Sequence, residues 1–308
     1  VYQLTPTWYA YNLQTAYEAY GVAKTLMKAF VQVCDATEGP VRKDSDGILF
    51  CKRYNNGTAS TDGNNDSTSN GVYKPVGELQ NKAEGVRVSA LGYALENGNG
   101  RYGGVLRAPM KFLGPQYRDT AGAMQTNSQS EWNATTGIFE PDPLNAAGGS
   151  SAFPTGAPSF STSGVVNYMN KFGSSGTYKS NDPVGELYYE TLRYFQGKQP
   201  TAAATSSLAT AAYDGFPIYS TWTDPIQNGC QRRNFTLAIG DVNSHYDKQL
   251  PGHKSSVGVN ETTTDPARTA ESIPGSALTL NTVDWTRLLT GFETGTSVAY
   301  TDALGRTQ

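Results

Sequence analysis

The sequence predicts an α/β domain with long loop insertions, and three observations carry that expectation. Apolar runs of strand length occupy residues 30–34, 86–94 and 235–241. Apolar stripes of helical period fall at Val165, Tyr168, Met169 and Phe172, and again at Val184, Leu187, Tyr188, Leu192 and Phe195. Strands and helices alternate along the chain, the order of a sheet with helices packed on it.

Each element has its own sequence signals. Residues 105–113 read as a fourth strand, demoted to an edge or bulge because Pro109 offers the ladder no amide. A short helix is expected after Pro75, with Val76, Leu79 and Ala83 inward. The 165–172 helix lies between Ser163 and Gly173. The next helix opens with Asp182 as N-cap and Pro183 at the first helical position, and Gly197 follows its end. Its stripe is expected to pack on a sheet containing residues 235–239. A further helix is expected within 11–30, around Leu13, Ala16, Tyr17 and Tyr20. The polar stretches 52–72, 114–163, 198–215 and 252–280 read as surface loops punctuated by Asn-Gly, Asp-Gly and Gly-Gly turns. Tyr-Lys precedes the pentapeptide Pro-Val-Gly-Glu-Leu at 75–79, and the same pentapeptide recurs at 183–187. Because the flanking sequence does not match, this reads as one helix-start solution used twice.

Composition narrows the class. Of 308 residues, 37% are apolar and only 17% charged, with 33 Gly and 19 Tyr. A surface made polar by hydroxyls and amides is the habit of secreted and cell-surface proteins. The net charge of −3, without a basic patch, argues against nonspecific nucleic-acid or anionic-membrane binding. No apolar run reaches the length of a membrane span. Residue 1 is Val and no leader is visible, so the sequence reads as a mature fragment or cut-out domain. Cys34 and Cys51 bracket one loop, and in an extracytoplasmic chain they are expected to be disulfide-bonded, leaving Cys230 unpaired within these residues.

The chemically richest loop follows the 235–241 run and carries Asp241, His245, Asp247 and His253. A strand that delivers an acidic loop at its C-terminal end is how α/β sheets build sites. Carboxylates and imidazoles suit a transition metal, and Gly240-Asp241-Val242-Asn243 resembles a metallophosphoesterase loop. With two His in the whole chain, a His-rich dinuclear centre cannot be assembled. The simpler reading is an acidic loop solvated at a sheet edge. Asp182 could share an ion with Asp241, although an N-cap role explains it fully. Asp44-Ser-Asp-Gly47 and Asp62-Gly-Asn-Asn-Asp66 resemble pieces of calcium loops without the closing Glu of an EF-hand.

A series of segments in order resembles the PilY-type tip adhesins of bacterial type IV pili. They begin with Val31-Gln-Val-Cys-Asp35 and Cys51, and continue through Tyr73-Lys-Pro-Val-Gly-Glu-Leu-Gln80, Val86-Arg-Val-Ser-Ala-Leu-Gly-Tyr93 and Gly103-Gly-Val-Leu-Arg-Ala-Pro-Met-Lys111. Glu131-Trp132, Gly137-Ile-Phe139 and Asn167-Tyr-Met-Asn-Lys-Phe-Gly173 follow. The series closes with Tyr178-Lys-Ser-Asn-Asp-Pro-Val-Gly-Glu-Leu-Tyr-Tyr189, Arg193-Tyr-Phe195, Asp224-Pro-Ile226 and the stretch from Cys230 to Gly252. Residues 1–29 and 253–308 have no counterpart in this series.

The resemblance implies a von Willebrand factor A-like central sheet with flanking helices in a single domain. Residues 1–29 would be an unplaced N-terminal segment, and 114–163 and 253–308 loop-rich additions. It implies a C-terminal propeller elsewhere in a longer protein, secretion through the periplasm, and a place at the pilus tip or cell surface. Minor pilins and other tip components would be the partners, with non-enzymatic roles in pilus biogenesis, surface attachment and twitching motility. A metal-dependent hydrolase built on residues 241–253 and a DNA-uptake tip module are the alternatives. A complete A domain holds a divalent cation through Asp-x-Ser-x-Ser, a loop Thr and a later Asp. Asp241 matches the last position and Asp182 stands near the Thr loop. Asp35-Ala-Thr-Glu-Gly39 lacks the second hydroxyl. The expectation is therefore an empty or weakly held Mg²⁺ or Ca²⁺.

Overall fold

The structure is a computed structural model that describes residues 2–3, 30–31, 34, 50–55, 71–95, 103–171, 179, 182–226, 233–240, 247–253, 268–273 and 278–296. The chain gathers into two compact units, Val1–Arg87 with Phe112–Glu140, and Val88–Lys111 with Pro141–Gln308.

In the first unit, β1 (Tyr2–Gln3) pairs antiparallel with β2 (Phe30–Val31). β3 (Cys51–Asn55) pairs antiparallel with β4 (Gly71–Pro75), Cys51 opposite Pro75. The Cys34–Cys51 disulfide, with Cα atoms 6.0 Å apart, fastens the start of β3 to the upstream chain. Both cysteines are buried. β3 buries Tyr54, and Gly137 lies against its ring. A side chain at 137 would stand 2.8 Å from ring carbons and would need a left-handed backbone, φ +63°, so only glycine fits. Lys74 Nζ, 5.9 Å from the same ring, donates to the Thr136 carbonyl at 2.6 Å. α1 (Glu78–Asn81) follows directly.

The second unit holds the main core. Strands β5 (Arg87–Tyr93), which starts in the first unit, and β6 (Gly104–Phe112) are hydrogen-bonded neighbours. Val105 and Leu106 of β6, and Ala94 just after β5, are buried with Phe153, Phe160, Tyr213, Ile218, Tyr219 and Trp222. The aromatics meet edge to face, the arrangement favoured by ring quadrupoles. The described helices here are α2 (Val165–Lys171), α3 (Val184–Phe195), α4 (Ala202–Thr205), α5 (Thr210–Tyr213) and α6 (Thr282–Thr294). In chain order, β7 (Gln116–Arg118) and β8 (Met124–Thr126) form a small hairpin in the first unit. In the second, β9 (Glu271–Ser272) pairs with β10 (Thr279–Leu280).

Arg107 in β6 is fully buried, and its guanidinium ties the second unit together. Nη1 donates to the Tyr213 carbonyl at 2.7 Å and Nη2 to the carbonyls of Ala212 at 3.0 Å and Tyr93 at 2.5 Å. A cation at the C-terminal carbonyls of α5 complements the helix end, whose last carbonyls have no partners within the helix. β6 also packs directly on α3. A Cβ on Gly104 would lie 2.9 Å from Leu187 Cα and 3.0 Å from Glu190 Cβ. The Gly-Gly pair before Val105 is there because two backbones meet.

Several expectations are corrected. Residues 235–239 do not join a sheet among the described residues: they run without helix, turn or bend, and Phe235, Leu237 and Ile239 are 80%, 86% and 76% exposed. Their alternation is strand-like, but no described neighbour pairs with it. α3 is rotated from its expected orientation, so that Glu186, Tyr189, Glu190, Thr191 and Tyr194 are buried while Tyr188 and Leu192 face outward. Buried carboxylates are tolerated because backbone amides and Thr201 meet them, as described below. Leu79 is likewise exposed. The polar stretches 114–163 and 198–215 are not decoration. They supply Trp132, Phe153, Phe160, Ala204, Ala212 and Tyr213 to buried positions. Asp119, Asn127, Asn133 and Asp142 side chains accept the amides of these turns, which frees the intervening apolar residues to pack. Pro109 does not interrupt β6, which runs nine residues through it. The 11–29 helix region, Phe172, the 44–47 and 62–66 turns and Cys230 lie outside the described residues.

Candidate functional site

The densest polar chemistry lies along α3. Pro183, at the N-cap, has no amide, so three amides of the first turn, those of Val184, Gly185 and Glu186, have no helix carbonyl to reach. Leu187 N makes the first helix bond, to the Pro183 carbonyl at 3.1 Å, and Val184 N donates to the Asp182 carbonyl at 2.8 Å. The remaining two go to a remote side chain. Gly185 N and Glu186 N donate to the Asp247 carboxylate at 3.2 and 2.9 Å. The cap expected of Asp182 is therefore made by Asp247, with Pro183 at the N-cap position. Asp247 is not a solvated acid at a sheet edge. It is half-buried, and its charge sits at the positive end of a twelve-residue helix.

The contact is returned. Glu186 is completely buried, and its carboxylate accepts Lys248 N at 2.9 Å, Gln249 N at 2.8 Å and Gly103 N at 2.6 Å. Burial pushes this carboxyl up to about 7, the nearby Asp247 charge adds to the rise, and the three amides oppose it. One turn on, Glu190 accepts from Thr201 Oγ1 at 2.5 Å, and burial pushes it also up to about 7.

Beyond the clamp the loop turns back. Gly252 N donates to the Arg268 carbonyl at 3.1 Å, Arg268 N to the His253 carbonyl at 2.8 Å, and Thr282 N, the start of α6, to the Pro251 carbonyl at 2.9 Å. This fixes a cleft of about 430 Å³ whose walls include Tyr189, Arg193, Thr201, Gln249, Arg268 and Glu271. Glu271 sits among donors: Arg193 Nη1 is 3.0 Å from both of its oxygens, and Tyr189 Oη and Lys198 Nζ also donate to it. Arg268 donates to Gln249 Oε1, while its buried Nε has no partner among the described residues. The guanidinium, amide, hydroxyl and carboxylate groups of the cleft suit hydrogen-bonded recognition of a polar chain.

The residues expected to form one site are thus divided. Asp247 and His253 belong to this loop, and the buried Nδ1 of His253 has no partner among the described residues. Asp182 contributes a backbone carbonyl to α3. Asp241 and His245 lie outside the described residues. Among the described residues no three His, Cys, Asp or Glu side chains converge as ion ligands. No helix there is long and apolar enough to cross a membrane. Glu186, Glu190, Arg193, Arg268 and Glu271 were not expected from sequence. One signal was present: Glu186, Glu190 and Arg193 recur at helical spacing beside the apolar stripe, a second stripe as regular as the first.

Comparison with known proteins agrees with the segment series. The family described as PilY1 homolog, second domain, matches residues 97–287. That span includes β6, α2 to α5 and the whole clamp. The type IV pilus biogenesis factor PilY1 homolog of Xylella fastidiosa (strain Temecula1) is 36% identical over 196 residues, which are 61% of this chain and 16% of that relative. The chain therefore corresponds to about a sixth of the relative's length. No solved structure matches. The chain belongs to the family of PilY1-homolog second domains.

Proposed function

We propose that this chain is a non-enzymatic module of a PilY1-type type IV pilus biogenesis factor, working at the cell surface or pilus tip. The observation that carries the reading is the family match across residues 97–287, supported by a relative whose name is that of a pilus biogenesis factor. The Cys34–Cys51 disulfide and the low charge content suit an oxidising compartment outside the cytoplasm. In this reading the module engages minor pilins and other tip components and serves attachment and twitching motility. The cleft beside α3 favours recognition over catalysis, since polar groups that fix a partner's hydrogen bonds line it. The reading extends to a von Willebrand factor A-like sheet around β5 and β6 and to a propeller elsewhere in the longer protein. The test is deletion of residues 97–287 from the full-length protein in its own cells, with surface pili counted by electron microscopy. Loss of pili is expected while the truncated protein is still made and secreted. Normal piliation and motility would overturn the proposal.

A further inference from the structure

The cleft beside α3 carries more positive charge than its own acid balances. Arg193, Arg268 and Glu271 line it, and Lys198 pairs with the same Glu271. Arg193 is fully engaged. Its Nη1 lies 3.0 Å from both oxygens of Glu271, and Nε and Nη2 donate to the Gln199 carbonyl at 3.0 and 2.8 Å. Glu271 is thereby shared among two cations and the Tyr189 hydroxyl. Glu190 is held by the Thr201 hydroxyl and does not line the cleft. Arg268 is the cation left over. Its side-chain partner among the described residues is neutral, the Gln249 amide oxygen, and its buried Nε has none there.

A guanidinium drawn partly out of water toward an amide oxygen alone is an unbalanced charge, and proteins pair such charges. The backbone keeps Arg268 in place. Its amide donates to the His253 carbonyl at 2.8 Å, and its carbonyl accepts Gly252 N at 3.1 Å. A guanidinium presents parallel N–H groups that match the two oxygens of a carboxylate, the pairing that best neutralises it. The rest of the cleft fits such a group. Its volume of about 430 Å³ lies in the range of small-ligand sites, about 300–1,000 Å³, and Ala203 and Ala270 give it small apolar walls. We propose that this cleft binds a carboxylate on a short aliphatic stem, an acidic side chain or the end of a peptide chain, with Arg268 as its receptor. The proposal rests on the reading of the cleft as a recognition site and names the group recognised. One guanidinium without an acid matches the single charge of a carboxylate better than the double charge of a phosphate.

The test is a nuclear magnetic resonance titration of the 308-residue chain. The probes are acetyl-Ala-Glu-Ala-amide, acetyl-Ala-Ala-Ala with a free terminal carboxylate, and the neutral acetyl-Ala-Gln-Ala-amide. At least one acidic peptide is expected to bind saturably in about the millimolar range and to shift the amides of residues 269–271. Which of the two binds tells whether a side chain or a chain end supplies the carboxylate. Arg268→Gln is expected to weaken binding about tenfold, and Arg268→Lys to restore part of it, since it returns the charge without the fork. Thr269→Trp narrows the cleft from an exposed position and alters no charge. It is expected to weaken binding similarly, and it keeps the test decisive where Arg268→Gln does not fold. Arg118→Gln, an exposed cation of the first unit, should change nothing. No saturable binding of either acidic peptide up to about 10 mM would overturn the proposal. So would equal binding of the Gln peptide, binding that Arg268→Gln leaves intact, or inorganic phosphate binding as tightly as the acidic peptides. Loss of pili on deletion of residues 97–287 with no carboxylate binding would sink this inference and leave the proposed function standing. Carboxylate binding with normal piliation would do the reverse.

Discussion

Asp247 and Glu186 exchange backbone contacts across sixty-one residues of sequence: the Asp247 carboxylate accepts the amides of Gly185 and Glu186, and the Glu186 carboxylate accepts those of Lys248 and Gln249. The pattern is that of a capping box, in which a cap and a first-turn acid satisfy each other's amides, here made between a helix and a distant loop. Asp247→Ala is expected to lower stability by about 1–2 kcal/mol, the scale of a lost cap. Glu186→Ala, which leaves three buried amides unmet, is expected to cost more. In urea denaturation the double variant should lose less than the two single losses added together, since each removes part of the same exchange.

The two buried acids of α3 set a pH dependence. Glu186 and Glu190 keep their protons to about pH 7 when folded but ionise near their ordinary value of 4.5 when unfolded. Between those values the folded state binds more protons, so stability falls as pH rises from 4.5 to 7 and levels off above. The fall is on the order of 3 kcal/mol for each carboxyl. Denaturation midpoints measured across this range check it, and Glu190→Gln should remove about half of the slope.

Arg107 is expected to be irreplaceable by a residue of similar volume. Arg107→Met removes the guanidinium donors to the carbonyls of Tyr93, Ala212 and Tyr213, leaving the latter two only the amides of Leu95 and Phe216. A loss of about 3 kcal/mol is expected by thermal or urea unfolding, from lost charge-assisted hydrogen bonds rather than from lost volume. Arg107→Lys should recover only part of it, because one ammonium cannot span acceptors on two elements.

Gly104 tests the close approach of β6 to α3. Gly104→Ala places a methyl 2.9 Å from Leu187 Cα, a backbone atom that cannot rotate away. A destabilisation of about 1–3 kcal/mol is expected in the same assay, as for overpacking elsewhere. Gly85→Ala, with no atom near the added carbon, serves as the control and should change little.

Breaking the Cys34–Cys51 bridge, seventeen residues apart in sequence, should cost about 3 kcal/mol through the unfolded chain. The Cys34→Ser, Cys51→Ser double variant, compared with the oxidised chain by denaturation, checks the figure. Reductant should lower the oxidised chain's stability and leave the double variant unaffected.

The twin pentapeptides show where sequence stops deciding. Both copies start a helix, as their Pro-Val-Gly-Glu pattern signals. In the first copy the Gly77 amide donates locally to Gln80 Oε1 at 2.8 Å, the helix lasts four residues and Glu78 is exposed. After Gly185 the amides are met by Asp247 from far along the chain, the helix lasts twelve residues and the matching Glu186 is wholly buried. The sequence alone determined the local features: β5, β6 and α3 to within about two residues, and the pairing of Cys34 with Cys51. These rest on periodicity, caps and proximity, which act over a few residues. Only the tertiary structure decided which face of α3 turns inward, which acid caps it, and that the strand-like 235–239 run stands bare among the described residues. Helical period marks stripes but not which one is buried. Backbone amides at a distant loop and two glycines at the start of β6 made the acidic stripe of α3 the one that could be buried.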